Sequence, residues 1–155
     1  MHIPMIEIRK AHAGEYIIIA NFQQEMAMET ENLSLDPATV RKGVMAVFDD
    51  PSKGCYYVAE YEGKVAGSLL TTYEWSDWRN SQIIWIQSVF ILPEFRNKGI
   101  YKMLYQHIKQ LVQDDPGISG IRLYVDKSNH KAAGIYRHCG MDGDHYQLYE
   151  WINFT

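Results

Sequence analysis

The stretch VFILPEFRNKGIYKML, residues 89–104, starts as a strand and ends as a helix. Val89, Phe90, Ile91 and Leu92 are an apolar, β-favouring run of the kind that is buried in a sheet. Pro93 ends it, having no N–H to give to a ladder. From Gly99 to about residue 114, Ile100, Met103, Leu104, Ile108, Leu111 and Val112 fall on one stripe of a helical period. Between strand and helix lies Arg96-Asn97-Lys98-Gly99. The first amides of a helix have no intrahelical acceptor and carry partial positive charge, so such a turn suits an anion. Gly99 lets the backbone approach that anion, and Arg96 and Lys98 add charge and donors. Phosphate or pyrophosphate is the guest this chemistry favours, although a merely solvated basic turn would read the same way. Neither G-x-x-x-x-G-K-[ST] nor G-x-G-x-x-G occurs.

Working outward, residues 6–11 alternate apolar and polar as a short strand, and residues 14–29 place Ile17, Ile18, Phe22 and Met26 on a helical face. Asp36-Pro37 opens a second helix, with Asp as N-cap and Pro in the first turn. It runs through Val40, Val44, Val47 and Phe48 and ends at Asp49-Asp50-Pro51. Residues 55–61 and 65–73 around Glu62-Gly63-Lys64 read as a β-hairpin. The stretch EWSDWRN (residues 74–80) reads as a loop and residues 82–92 as a long strand. Residues 121–125 predict a strand, 129–138 a short helix closed by Gly140, and 146–151 a last strand. The order β-α-α-β-β-β-α-β-α-β predicts an α/β fold, a mixed sheet with helices on both faces. The chain has no repeats or linker-like tracts, so residues 1–155 read as one domain.

The 155 residues are enough for a proper core, and the 46% hydrophobic and 22% charged fractions are ordinary for a globular protein. A formal charge of −4 lacks the basic excess that general nucleic-acid binding needs, and it is compatible with a cationic substrate. Cys55 and Cys139 are far apart and lack metal-ligand spacing, which predicts neither disulfide framework nor metal site and favours a reducing, cytoplasmic setting. Residues 1–10 have no long apolar core and no small-residue cleavage site, so no signal peptide is expected there, and no apolar run approaches the ~18 residues that span a bilayer. Cys139 reads as a small buried residue, and His107 and His138 as surface residues.

Further on, NHKAAGIYRHCGM (residues 129–141) follows a strand and forms a helix. With this second motif the chain resembles the GNAT superfamily of acyl-CoA-dependent N-acetyltransferases. The family's phosphate pattern [Q/R]-x-x-G-x-[G/A] is matched by Arg96 and Gly99 and imperfectly by Tyr101. Its later N-x-x-A-x-x-x-Y signature is matched by Asn129, Ala132 and Tyr136, with Gly140 and Met141 in place of a Gly-Phe end. The lead-in VFILPEFR resembles the family's Val-x-Pro-x-x-Arg. The element order agrees from Ile6 to Trp151.

The resemblance implies acetyl-CoA as cosubstrate, no metal, and direct attack of a neutral amine on the thioester. It places the pyrophosphate on Arg96, Asn97, Lys98, Gly99, Ile100 and Tyr101, chiefly through backbone N–H groups. The pantetheine arm would run beside Val89, Phe90 and Ile91. Asn129 would contact pantetheine, cap its helix, or do both. Tyr136 would protonate the departing thiolate. Family members often carry a Glu on the central strand; here that position falls near Trp85, and neither Trp85 nor Gln87 is a base. Glu74 and Asp77 are the first candidates for that role, Glu29 and Glu31 the second; ordered water is an alternative. Trp75 and Trp78 with Glu74, Asp77 and Arg79 could wall a pocket for a cationic amine, with Trp85 and Gln87 beside them. They could equally be tryptophans covering the hairpin. Tyr146, Tyr149 and Glu150 could close the pocket, or serve sheet packing or a homodimer. The acceptor is expected to be a primary amine of a small molecule or peptide. Two alternatives are a protein lysine or N-terminus and a non-catalytic acyl-CoA sensor. No nucleic-acid or membrane partner is expected.

Overall fold

The computed structural model describes residues 1–153 and divides into two compact units, Met1–Arg122 and a smaller one beginning at Leu123. In the first unit, strands β1 (Ile6–Lys10), β2 (Cys55–Tyr61), β3 (Lys64–Ser76), β4 (Ser81–Ile91) and β5 (Ile118–Arg122) form one sheet in chain order. The first four are antiparallel neighbours, and β5 is parallel to β4. Helices α1 (Tyr16–Glu31), α2 (Pro37–Asp49) and α3 (Ile100–Asp114) complete the unit.

Strand alternation sends Tyr56 and Tyr57 to opposite faces, and each meets a helix. Tyr56 packs against Phe48 of α2 with ring centroids 5.7 Å apart, in a core with Ile19, Ala20, Val44 and Val58. Tyr57 packs against His107 of α3 at 5.6 Å, so this histidine is a packing residue rather than a surface one. The sheet is thus covered on both faces, as expected. Asp36 caps α2 as predicted, its carboxylate accepting from the Thr39 amide at 3.0 Å. Arg9 holds β1 to the turn before α1 through a two-pronged pair with Glu15 at 2.9 and 2.8 Å.

Three elements differ from the sequence reading. The strand β3 continues through Glu74, Trp75 and Ser76, paired with Ile83, Gln82 and Ser81, so only residues 77–80 form the hairpin turn. Charged and aromatic side chains made this end look like a loop, but a strand end near solvent tolerates them. β5 starts at Ile118, three residues early, because the Gly117 carbonyl already accepts from the Gln82 amide after the Pro116-Gly117 turn. Residues 146–151 carry no strand among the described residues. The second unit contains helix α4 (His130–His138), whose Asn129 cap accepts from the Ala132 amide at 3.1 Å.

Candidate active site

The anion turn is built from strained backbone. After β4, a short 3₁₀ turn (Pro93–Phe95) leads to Arg96, and then Asn97 and Gly99 both take left-handed conformations, with φ of 62° and 80°. Helix α3 starts at the next residue, Ile100, which is buried and anchors the helix to the core. The amides of Asn97, Lys98, Gly99 and Ile100 have no backbone acceptor among the described residues. Alternating left-handed residues before a long helix gather such N–H groups into a concave anion site. Tyr101, the departure from the family pattern, is half-buried in the first helical turn.

The side chain of Arg96 does something else than expected. Its Nε donates to the Ile91 carbonyl at 2.9 Å, its guanidinium pairs with Glu29 at the end of α1 at 2.9 Å, and it lies 5.5 Å from the Phe90 ring. Arg96 therefore ties the turn to β4 and α1 with three of its five N–H donors, and two remain on its guanidinium. The same pairing commits Glu29. Lys98 lies over the Tyr61 ring at 5.5 Å.

Towards the middle of β4 the register breaks. Ser68 faces Phe90 and Leu70 faces Gln87, so Leu69 stands opposite two residues, Ser88 and Val89. Ser88 has φ 54°, and this bulge turns the backbone of β4 out of regular pairing. Residues 89–91, assigned to the pantetheine arm, lie between bulge and turn. The Phe90 side chain packs on Phe22 of α1 at 5.4 Å, and its backbone lies opposite Ser68 of β3. Opposite them Gly67 permits a close approach: a Cβ there would meet the Phe90 carbonyl at 2.5 Å and the Ile91 Cα at 3.2 Å.

Beyond the bulge, pleat alternation collects Thr72, Glu74, Trp85, Gln87 and Arg122 on the face that also carries Tyr56 and Leu70. Gln87 Nε2 donates to Thr72 Oγ1 at 2.6 Å. Glu74 accepts from Trp85 Nε1 at 2.7 Å and from Arg122 at 2.6 Å. The Trp85 indole N–H and the Arg122 guanidinium hold its carboxyl below the usual carboxylate range. It is an anion at neutral pH, and a weaker base for that reason. Each oxygen uses one of its two lone pairs in these bonds, so acceptor capacity remains.

The expected tryptophan wall does not form. Trp75 is one residue from Glu74 on β3, so it points to the opposite face and is 58% exposed, while Trp78 sits in the hairpin turn at 90%. Asp77 is in the same turn, its carboxylate accepting from the Trp78 amide at 3.0 Å, and it does not join Glu74. Sequence reasoning missed Thr72 and Arg122. The alternation Thr72, Glu74 and Trp85, Gln87 would have exposed them once residues 74–76 were read as strand.

In the second unit Asn129 is the helix cap described above. Tyr136 is buried, and burial, with Cys139 close by, pushes its phenol above the ordinary tyrosine value. It stays protonated through the physiological range, as a hydrogen donor must. Tyr146 is 73% exposed and in no regular element. Among the described residues no group of three His, Cys, Asp or Glu could hold a metal, and no helix is long and apolar enough to cross a membrane.

A bulged strand thus runs into a glycine-started helix through an amide-lined turn. The Acetyltransferase (GNAT) family model matches residues 18–141, and the chain belongs to that family. Its structure is similar to that of a possible acetyltransferase from Clostridium difficile 630, at 41% identity and TM-score 0.90, covering 97% of this chain and 99% of that one. The fold is shared with glucosamine-6-phosphate N-acetyltransferase from Arabidopsis thaliana, at 18% identity and TM-score 0.72 over 96% and 99% of the two chains. It is shared too with an aminoglycoside acetyltransferase from an uncultured soil metagenomic sample, at 17% identity and TM-score 0.75 over 97% of each. None of the curated protein sequences compared with the chain matches it. The GNAT family uses acetyl-CoA as cosubstrate, and the amides of residues 97–100 fit the pyrophosphate of that molecule.

Proposed function

We propose that the chain transfers an acetyl group from acetyl-CoA to a primary amine of a small molecule or peptide, by direct attack, in the cytoplasm. The observation that carries this reading is the line of features along β4: an amide-lined turn, a bulge, then a polar face with a fixed carboxylate. The amides of Asn97, Lys98, Gly99 and Ile100, with that of Tyr101, hold the pyrophosphate. The backbone of Val89, Phe90 and Ile91 lies along the pantetheine arm. Asn129, which the family likeness assigns to pantetheine, caps α4 through its side-chain oxygen.

Glu74 faces the acceptor as a permanent anion and draws in the ammonium, with Trp85, Gln87 and Thr72 around it. Its lowered pKa makes Glu74 a weaker base than an ordinary carboxylate, and in this reading it binds and orients the amine while water carries its proton away. The amine nitrogen bonds to the acyl carbon as the C–S bond breaks. Tyr136 supplies a proton or a hydrogen bond to the sulfur. Because Trp75 and Trp78 do not enclose the acceptor face, the peptide class stands beside small amines.

The test is free-thiol release from acetyl-CoA across a panel of small amines and peptides, repeated with Tyr136→Phe. Amine-dependent release that falls in the variant is the expected result. Tight CoA binding without turnover on every acceptor would make the chain an acyl-CoA sensor. A fully active Tyr136→Phe across pH would remove Tyr136 from the chemistry.

A further inference from the structure

We infer that Glu29, near the end of α1, is a positioning residue for the turn before α3: acting through Arg96, it holds residues 96–99 in the shape that gathers their amides, a role that rests on the reading of this turn as the coenzyme A site. The turn needs an outside hold. Asn97 keeps a left-handed φ of 62° without being glycine, and Gly99 is left-handed two residues later. Such conformations persist where surrounding contacts over-determine them. The amides of residues 97–100 do not supply that hold, since they have no backbone acceptor among the described residues.

Arg96 supplies it from the first position of the turn. Its Nε donates to the carbonyl of Ile91, the last residue of β4, at 2.9 Å. Its Nη1 and Nη2 pair with the two oxygens of the Glu29 carboxylate at 2.9 Å each. A two-pronged pair of this kind fixes the plane of the guanidinium as well as its position. The guanidinium carbon lies 5.5 Å from the centre of the Phe90 ring, and Phe90 packs on Phe22 of α1 at 5.4 Å. Phe22 and Glu29 are two helical turns apart on α1. The contacts Glu29–Arg96–Phe90–Phe22 therefore close a circuit between one stripe of α1 and the start of the turn. Phe22 and Phe90 are buried, so the core fixes the inner half of the circuit and the ion pair fixes the outer half. A half-exposed ion pair adds little to global stability, so what Glu29 sets is the shape of the turn.

Charge alone predicts the opposite sign. A carboxylate beside the turn repels a pyrophosphate, and it occupies donors of Arg96 that would otherwise be open to the anion. If Glu29 acted only by charge, removing that charge would tighten coenzyme A binding. As a positioning residue, its removal weakens binding. The sign of one affinity change separates the two.

Calorimetric titration with coenzyme A tests it on the full chain, on Glu29→Gln, on Arg96→Gln and on the double variant, with amide NMR spectra of each protein recorded before ligand is added. Glu29→Gln should bind coenzyme A about five- to tenfold more weakly, with a melting temperature close to the parent's. In the free protein its amide shifts should be largest at residues 96–100. In the Arg96→Gln background the same substitution should have no further effect, because Glu29 acts through Arg96. Unchanged or tighter binding by Glu29→Gln would overturn the positioning role. So would an equal loss in both backgrounds, which would make Glu29 act independently of Arg96. A parent chain that does not take up coenzyme A would remove the cofactor reading and this role with it, whereas normal uptake by the parent and an indifferent Glu29→Gln would remove this role alone.

Discussion

The two ends of β4 are built by different means. At the α3 end the site is made of backbone: left-handed Asn97 and Gly99, a bulge at Ser88, and amides without backbone acceptors among the described residues. At the hairpin end it is made of side chains, with Glu74, Trp85 and Arg122 joined across three strands. Backbone sites depend on conformation and hardly on which side chains surround them. Side-chain sites depend on register, since a slip of one residue sends every group to the other face. In this chain, then, cofactor binding should fail through strained or crowded backbone, and acceptor binding through loss of single functional groups.

The largest expected effect is on the backbone end. Gly99→Val puts a β-branched residue at φ 80°, a conformation such residues avoid at a cost of about 1–3 kcal/mol. CoA affinity should fall about 10- to 100-fold by calorimetry, with the acceptor KM little changed. Gly67→Ala comes next. Its Cβ would lie 2.5 Å from the Phe90 carbonyl, so β3 and β4 must move apart beside the bulge. Thermal unfolding should show a loss of about 1–3 kcal/mol together with a weaker acetyl-CoA KM. If either variant left cofactor binding intact, the backbone account of this end would be wrong.

The side-chain end is probed by Glu74→Gln. It keeps the shape but removes the charge, so the acceptor KM should rise about tenfold while kcat changes less and the acetyl-CoA KM stays put. A kcat loss of several hundredfold at unchanged KM would instead make Glu74 the general base. The charge contribution is present at neutral pH and fades as pH falls through the lowered carboxylate range, because the Trp85 and Arg122 bonds favour the ionised form. The smallest effect is expected for Trp78→Ala. That ring is 90% exposed in the hairpin turn, and turnover and melting temperature should both stay within error.

The same contrast explains what could be read from the sequence. The turn before α3 was legible because Gly99 and the strand-proline-helix order record a backbone geometry directly. The helices were legible from their apolar stripes and from the caps at Asp36 and Asn129. The acceptor end was misread because EWSDWR has loop-like composition, although its first three residues pair with Ile83, Gln82 and Ser81. With that register lost, Trp75 was grouped with Glu74 although they point apart, and Arg122, 48 residues further along, had no visible link to either. The role of Arg96 was likewise hidden. Its partner Glu29 is 67 residues away, and only the packing of α1 beside the turn brings them together.

The central claim is that acetyl-CoA is held by the backbone of the turn before α3. An amide-resolved NMR titration of the ¹⁵N-labelled protein with CoA measures it directly. The account predicts the largest shifts at Asn97, Lys98, Gly99 and Ile100, with a second group at Val89, Phe90 and Ile91. Saturable binding that leaves those amides unmoved, and perturbs the β3–β4 hairpin turn instead, would contradict it.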